Sequence, residues 1–288
     1  MKVLVTGAGG QVGRELAGTA PPGVAVTAVS HADLDIGDPA AVRAALAASG
    51  ARWIVNAAAY TAVDRAESEA EAAQAINATA VGTLAAAARA AGARLLHLST
   101  DFVFDGRANR AYRPDDAPHP LSVYGRTKLD GERRALGGDC GAIVLRTSWV
   151  HAAHGRNFAS TMLKLLGERD RVRVVADQIG APTWARGLAR AVWALLRADA
   201  APGIHHWSDL GVASWYDFAV AIQDEGLARG LILRRVPIEP ITTADYPTPA
   251  QRPAFSVLDT RATRALIDAP ARHWRHHLQG MLDELRAA

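Results

Sequence analysis

The chain has 288 residues, 49% of them apolar, a formal net charge of +3 and one cysteine, Cys140. That is length for one large α/β domain or two modest ones. It excludes an intramolecular disulfide and a cysteine-based zinc site, and no apolar run reaches the roughly 18 residues that a bilayer span requires. The arginines are dispersed rather than striped, so neither a nucleic acid nor a membrane is an expected partner.

The elements follow one another in a regular order. Residues 3–6 form a short β-branched run that stops at glycines, and residues 12–16 continue it as a helix. The apolar part of the opening MKVLVTGAGG is too short for a secretory signal, so a soluble cytoplasmic protein is expected. Residues 24–29 make a second strand. Residues 39–48 form an alanine-rich helix with Asp38 at its N-cap. Residues 53–56 are a third strand, and a helical stretch over about 64–91 closes at Gly92, in the position after the C-cap where helices favour glycine. Residues 94–99 are a fourth strand, 121–136 a helix and 142–146 a fifth strand. Such alternation builds a parallel, doubly wound sheet with right-handed crossovers. After residue 150, Pro182, Pro202, Pro237, Pro240, Pro247, Pro249, Pro253 and Pro270 interrupt the pattern. Helices remain legible over 158–166, 185–196, 215–225 and 273–286, and the helix over 185–196 is suited to pack back on the sheet.

Gly7, Gly10 and Gly13, with Gln11 and Val12 between them, follow a strand and open a helix. In that context the glycines permit a tight turn and close backbone approach to a pyrophosphate seated on the helix N-terminus. The spacing is G-x-x-G-x-x-G, and no Gly-Lys-Ser/Thr follows, so it is not a P-loop. An ordinary strand–helix connection is the alternative. The second strand ends in Ser30-His31 without the carboxylate that would repel a 2′-phosphate. Asp33 and Asp35 come later in the loop, and Asp35-Ile36 is placed to flank an adenine. NADPH is therefore favoured as cofactor, with NADH tolerated. Ala57, Ala58 and Ala59 follow Asn56 at the carboxyl edge, where small residues suit a cofactor ribose or simply a close-packed strand end.

Ser99-Thr100-Asp101 ends the fourth strand at the same edge. Its hydroxyls suit either a substrate carbonyl or a helix cap. Tyr124 and Lys128 are four residues apart and share a helix face. A neighbouring ammonium lowers a phenol from its usual pKa of about 10, and such a tyrosine donates a proton to a carbonyl being reduced. His151 with His154, and His273 with His276 and His277, have spacings open to a metal. No carboxylate accompanies them, and no metal is expected there.

Taken in order, these motifs resemble the extended short-chain dehydrogenase/reductase family. More narrowly they resemble its branch that reduces dTDP-linked 4-keto-6-deoxyhexoses. The likeness runs through Gly7 to Gly13, Asn56 to Asp64, Ser99 to Gly106 and Tyr124-Gly125-Arg126-Thr127-Lys128. It continues through Arg146-Thr147-Ser148-Trp149-Val150, Asn157-Phe158, Asp177-Gln178-Ile179-Gly180-Ala181-Pro182-Thr183 and Arg252-Pro253. The resemblance implies a Rossmann-type sheet in residues 1–150, with later segments around 170–200 packing back on it. Residues 151–288 would form mainly a smaller, interleaved substrate-binding lobe. It makes Tyr124 the proton donor to the 4-oxygen, with Lys128 lowering its pKa and binding the nicotinamide ribose. Thr100 would orient the carbonyl and Asp101 support the pocket. Trp149 would pack against the sugar, and Tyr60, Val63, Phe102, Asn157 and Arg252 would line the sugar-nucleotide site, where an arginine suits a diphosphate. The implied product is dTDP-L-rhamnose. Alternatives are a sister ketoreductase for another deoxysugar, a non-catalytic cofactor-binding subunit, and an epimerase or dehydratase. The dehydratases carry an Asp-Glu pair after the threonine, and Phe102 stands in place of that glutamate. Some members of the branch dimerise through a magnesium held by glutamates. Glu15 matches one such position, but Arg186 occupies a later one, and an arginine does not ligate a metal. A monomer or a homodimer without magnesium is expected.

Overall fold

The computed structural model describes residues 1–270 and 272–287. Six strands form one sheet: β1 (Lys2–Thr6), β2 (Ala25–Val29), β3 (Trp53–Asn56), β4 (Arg94–Thr100), β5 (Ile143–Thr147) and β6 (Gly203–His206). All pairings are parallel, in the order 2-1-3-4-5-6. The eight longer helices are α1 (Gln11–Gly18), α2 (Pro39–Ser49), α3 (Ala80–Ala90), α4 (Val123–Leu136), α5 (Phe158–Glu168), α6 (Ala185–Arg197), α7 (Trp215–Ala228) and α8 (Trp274–Ala287).

Alternation along each strand divides the core between two faces. Leu4, Ile54 and Leu95 pack with Val42 and Leu46 of α2 and Val81 and Leu84 of α3. Val3, Val5, Val55 and Leu96 pack on the other side with Leu16 of α1 and Leu188, Val192 and Leu195 of α6. Both faces are covered, so β3 and β5 are buried at every position and read as continuous apolar runs. Local chemistry sets the helix ends. The Asp38 carboxylate accepts from Ala40 N at 2.8 Å and Ala41 N at 3.2 Å, with Pro39 opening α2, and Gly50 ends it at φ +57°.

Two features depart from the sequence expectation. The sixth strand was not foreseen, because Gly-Ile-His-His carries little β-propensity; its parallel pairing with β5 builds it. The helical stretch over 64–91 is broken into Val63–Ala66, Ala70–Gln74, a π-helical turn Ala75–Thr79 and α3. The turn carries Asn77 into the interior. Its Oδ1 accepts from Tyr60 N at 2.9 Å, and its Nδ2 donates to Tyr60 O at 3.1 Å and Thr127 Oγ1 at 3.2 Å.

Beyond the sheet, a second core gathers around α5, α7 and α8, including Met162, Phe218, Ile222 and Leu278. A two-stranded pairing of Val172–Val175 with Ile238–Ile241 borders it. The chain returns from there to lay α6 beside α1. Among the described residues no helix is long and apolar enough to cross a membrane.

The packing of α4 generates a paired prediction. A Cβ at Gly131 would stand 2.0 Å from Asn77 O, whereas one at Gly167, exposed on α5, meets nothing within 4 Å. Gly131→Ala should therefore destabilise by about 2 kcal/mol despite alanine's helix propensity. Gly167→Ala should stabilise by roughly 0.5–1 kcal/mol. Urea unfolding of both variants checks the contrast, and equal effects would contradict the close α4 contact.

Candidate active site

The strand order reverses between β1 and β3, and ligands of open α/β sheets bind at such a switch point. A cleft of about 560 Å³ lies there. Gly7, Gly10, Ala57, Ala58 and Ala59 line it from the strand ends, and Ser30, Asp35 and Ile36 from the loop after β2. Gln11, Val12 and Gly13 sit just behind, in the first turn of α1. Ile76 of the π-helical turn also lines the cleft, a residue that no sequence motif marked.

The glycines are steric necessities. Gly7 has φ +75°, and a Cβ there would lie 2.5 Å from Ala58 N; a Cβ at Gly13 would lie 2.1 Å from Gly7 O. No side chain caps α1, so its first N–H groups are free for an anion. This bare cradle fits a dinucleotide pyrophosphate. After β2, the Asp33 carboxylate accepts from Ser30 N at 2.8 Å and Ser30 Oγ at 2.6 Å, which holds it below the usual carboxylate range. Asp35 Oδ1 accepts from Gly37 N at 2.8 Å. Both acids are thus engaged in shaping the loop.

At the ends of β4 and the start of α4 the chain brings Thr100, Asp101, Phe102 and Tyr124 together. Thr100 Oγ1 donates to Asp101 Oδ1 at 3.1 Å and accepts from Phe102 N at 3.2 Å. Ser122 caps α4 through Gly125 N at 3.1 Å. A Cβ on Gly125 would stand 2.3 Å from Phe102 O, so the glycine after Tyr124 lets the helix start abut the turn carrying Thr100. Phe102 meets the Tyr124 ring edge-on at 5.6 Å.

The electrostatics differ from the sequence expectation in one respect. Burial pushes the Tyr124 phenol up to about 12. Lys128 does not counter this, because its Nζ donates to Leu98 O at 2.7 Å and lies 3.2 Å from His97 Nε2. Burial also lowers Lys128 to about 8, against the opposing charge of Glu132. Asp101 is buried with Oδ2 unpartnered, and desolvation raises it to about 6 despite bonds from Ser256 and Thr100.

The residues expected at the sugar are scattered around this centre. Trp149 holds φ +46° and stacks on Trp215, ring centroids 3.5 Å apart at 4°. Gly180 makes the room: a Cβ there would touch Trp149 Cε2 at 2.5 Å. Trp215 Nε1 in turn donates to Gln178 Oε1 at 3.1 Å. The sequence marked Trp149 but not Trp215. Asn157 caps α5, and its Nδ2 donates to Gln11 Oε1 at 3.0 Å, joining the lobe to the glycine turn. Arg252 is held bidentately by Asp64, with Nη1–Oδ1 at 3.0 Å and Nη2–Oδ2 at 2.8 Å. Its fork is thus turned to a carboxylate in this structure, not presented free for a diphosphate. Tyr60 gives its hydroxyl to Glu69, and Val63 opens the short helix Val63–Ala66. Glu15 accepts from Arg186 Nε at 2.8 Å and lies 2.9 Å from His154 Nε2; the same arginine reaches Glu284. His151 is buried without a partner and pushed down to about 4 by burial, and His277 Nδ1 lies 2.8 Å from Asp209.

Asp101 supplies a stability test. Its folded pKa is raised, so its contribution is full below the ordinary carboxylate pKa and is lost as pH rises through about 6. The wild-type chain should lose about 1.4 kcal/mol between pH 5 and pH 8 from this group. Asp101→Asn should remove that loss and be the more stable protein at pH 8. Urea midpoints at the two pH values decide it, and an unchanged pH dependence would mean that the carboxyl ionises normally.

Comparison with known proteins places the chain. A dTDP-4-dehydrorhamnose reductase of Burkholderia thailandensis is 42% identical over 291 residues, covering 96% of each chain. A probable dTDP-4,6-dihydroxy-2-methyloxan-3-one 4-ketoreductase of Streptomyces antibioticus is 42% identical over all of this chain and 97% of its own. The crystal structure of a dTDP-4-dehydrorhamnose reductase from Bacillus anthracis, in complex with NADP, superposes with a TM-score of 0.91 at 31% identity, covering 98% of this chain and 99% of that one. The family described as the RmlD substrate binding domain matches residues 1–287, and the chain belongs to it.

Proposed function

We propose that this chain reduces the C4 ketone of dTDP-4-dehydro-6-deoxy-L-mannose with NADPH, giving dTDP-L-rhamnose in the cytoplasm. The observation that carries the reading is Thr100 at the end of β4 with Tyr124 against its neighbour Phe102, on a sheet whose glycine turn leaves α1 uncapped, in a chain similar over its full length to reductases of that name.

The residues divide as follows. Gly7, Gly10, Gln11, Val12 and Gly13 seat the pyrophosphate at the N-terminus of α1. Ser30, Asp35 and Ile36 flank the adenosine, and the absence of an acid directly after β2 favours NADPH. Ala57, Ala58 and Ala59 admit the ribose, and Lys128 binds the nicotinamide ribose. When bound, the dihydronicotinamide supplies the hydride. Thr100 orients the ketone, its single O–H turning from Asp101 to the ketone oxygen as charge develops on it. Tyr124 gives that oxygen its proton. A phenol at about 12 is fully protonated at neutral pH, which a proton donor requires. Asp101 keeps the Thr100 hydroxyl in place. Trp149, backed by Trp215, offers a flat apolar wall to the deoxysugar. Tyr60, Val63, Phe102 and Asn157 complete the rim, and Arg252 turns from Asp64 toward the diphosphate. The chain acts as a monomer or homodimer without magnesium.

A second reading is favoured by the Streptomyces antibioticus relative, whose name specifies a different 4-keto sugar at the same level of identity. In that reading the chemistry is unchanged and the sugar differs.

NADPH oxidation in the presence of enzymatically generated dTDP-4-dehydro-L-rhamnose tests the proposal. Rapid oxidation with formation of dTDP-L-rhamnose is expected. Intact NADPH binding without turnover would transfer the assignment to a sister sugar. Tyr124→Phe should lower kcat by about 10²–10⁴-fold with NADPH affinity within about twofold of wild type. Near-normal turnover in that variant would remove Tyr124 from the role of acid.

A further inference from the structure

Lys128 is one of only three lysines in the chain, with Lys2 and Lys164, against a large excess of arginine. It is 2% exposed. A buried hydrogen-bonded chain leads to it from β3, through Asn56 and His97, neither of which has a role in the mechanism above.

The direction of that chain follows from one backbone group. Ala58 N donates to Asn56 Oδ1 at 3.1 Å. A backbone N–H is only a donor, so this atom of Asn56 is the oxygen, and Thr6 Oγ1 donates to it as well at 2.7 Å. The atom of Asn56 that faces His97 Nδ1 at 3.0 Å is then the amide nitrogen, which donates. His97 Nδ1 must accept and carries no proton. Burial pushes His97 well below its ordinary pKa, so the ring is neutral and its single proton is on Nε2. That N–H points at Lys128 Nζ, 3.2 Å away. An ammonium has three donors and no acceptor, so it meets His97 donor to donor. A neutral amine donates to Leu98 O at 2.7 Å and accepts from His97 with its lone pair.

We propose that His97 is a positioning residue that biases Lys128 toward its neutral amine, with Asn56 fixing the imidazole tautomer that does so. The other groups around the ammonium do not substitute for this. On its own helix, Lys128 has Tyr124 and Glu132, and Glu132 is already engaged by Arg146 and Ser99. β4 supplies only His97 and the Leu98 carbonyl, and Arg146 on β5 reaches Glu132 instead. His97 itself faces Asn56, Lys128 and the α4 backbone at Gly131. Burial, which lowers Lys128 to about 8, acts in the same direction.

The consequence rests on the proposed reductase reading, whereas the tautomer and the titration belong to the protein alone. With its Nζ bonded to Leu98 O and facing His97, a neutral Lys128 sets no cation against the Tyr124 phenol, which stays protonated as a proton donor requires. An arginine at 128 would remain a cation, because it does not deprotonate.

The test uses the cofactor-free full-length protein, labelled with 13C in lysine Cε and 15N in the histidine rings. The 15N spectrum should show His97 protonated at Nε2 and bare at Nδ1. Lys128 should titrate near 8. His97→Gln, whose amide is free to turn its oxygen to the ammonium, should raise the Lys128 midpoint by a unit or more. Asn56→Asp, which can only accept, should reverse the His97 tautomer and also raise the midpoint. A wild-type His97 protonated at Nδ1, a Lys128 midpoint unchanged or lowered by His97→Gln, or a tautomer unreversed by Asn56→Asp would each overturn the proposal. Correct spectra without ketoreductase turnover would remove the catalytic consequence alone; turnover with the opposite tautomer would remove only this inference.

Discussion

The helix that carries Tyr124 and Lys128 depends on a buried ion pair. Arg146 in β5 is 1% exposed, and its Nε and Nη2 reach the two oxygens of Glu132 in α4 at 2.9 and 2.7 Å. Ser99 Oγ in β4 gives Glu132 Oε1 a further bond at 2.5 Å. Removing one partner of such a pair leaves a bare buried charge and costs about 3–5 kcal/mol. The pair therefore fixes the rotation and height of α4 on the sheet, and with them Tyr124 two turns earlier and Lys128 one turn earlier. Gly125 and Gly131 complete the constraint from the other side, because each allows backbone contact that a Cβ would block. Helix α4 is held by charge at its middle and by steric closeness along its length.

This rigid seating explains the state of the ionisable groups. Tyr124, Lys128 and Asp101 are placed by packing rather than by contact with one another, so desolvation is the first cause of every shift: the phenol and the carboxyl go up and the ammonium goes down. All three shifts favour the uncharged form. The result is a low-dielectric setting around Thr100 and Asp101, both of them buried. An interaction made there counts for more than the same one at the surface.

Much of this was legible in the sequence, for a definable reason. Parallel strands buried on both faces are short continuous apolar runs, and β1 to β5 stood out within a residue or two at each end. Gly7, Gly10, Gly13, Thr100, Tyr124 and Lys128 were legible because their chemistry requires a residue type at a spacing. What was not legible depends on partners distant in the chain. β6 exists because β5 offers an edge, and its own residues say little. The π-helical turn is hidden in an alanine-rich stretch whose composition suits any helix, and only the inward turn of Asn77 reveals it. The engagement of Arg252 by Asp64 spans 188 residues and could not be read from either segment. His97 lies in the middle of a strand and looks like a polar interruption, since its role is set by Asn56 and Lys128 on two other elements.

The two halves of the molecule are joined where the cofactor cleft begins, and this couples their order. Asn157 donates to Gln11 in the glycine turn, while Arg186 lies between Glu15 of α1 and Glu284 of α8. Both links end on α1, the helix whose N-terminus faces the cleft. Glu15 is nearly fully buried and compensated by the guanidinium of Arg186 on α6, so a shift of the second core that drew Arg186 away with Glu284 would strand its charge. The same shift would pull on Gln11, one residue beyond the glycine that begins the helix. The core that Trp215 packs on is therefore tied to the glycine turn, while Trp149 stands two residues beyond β5 of the sheet.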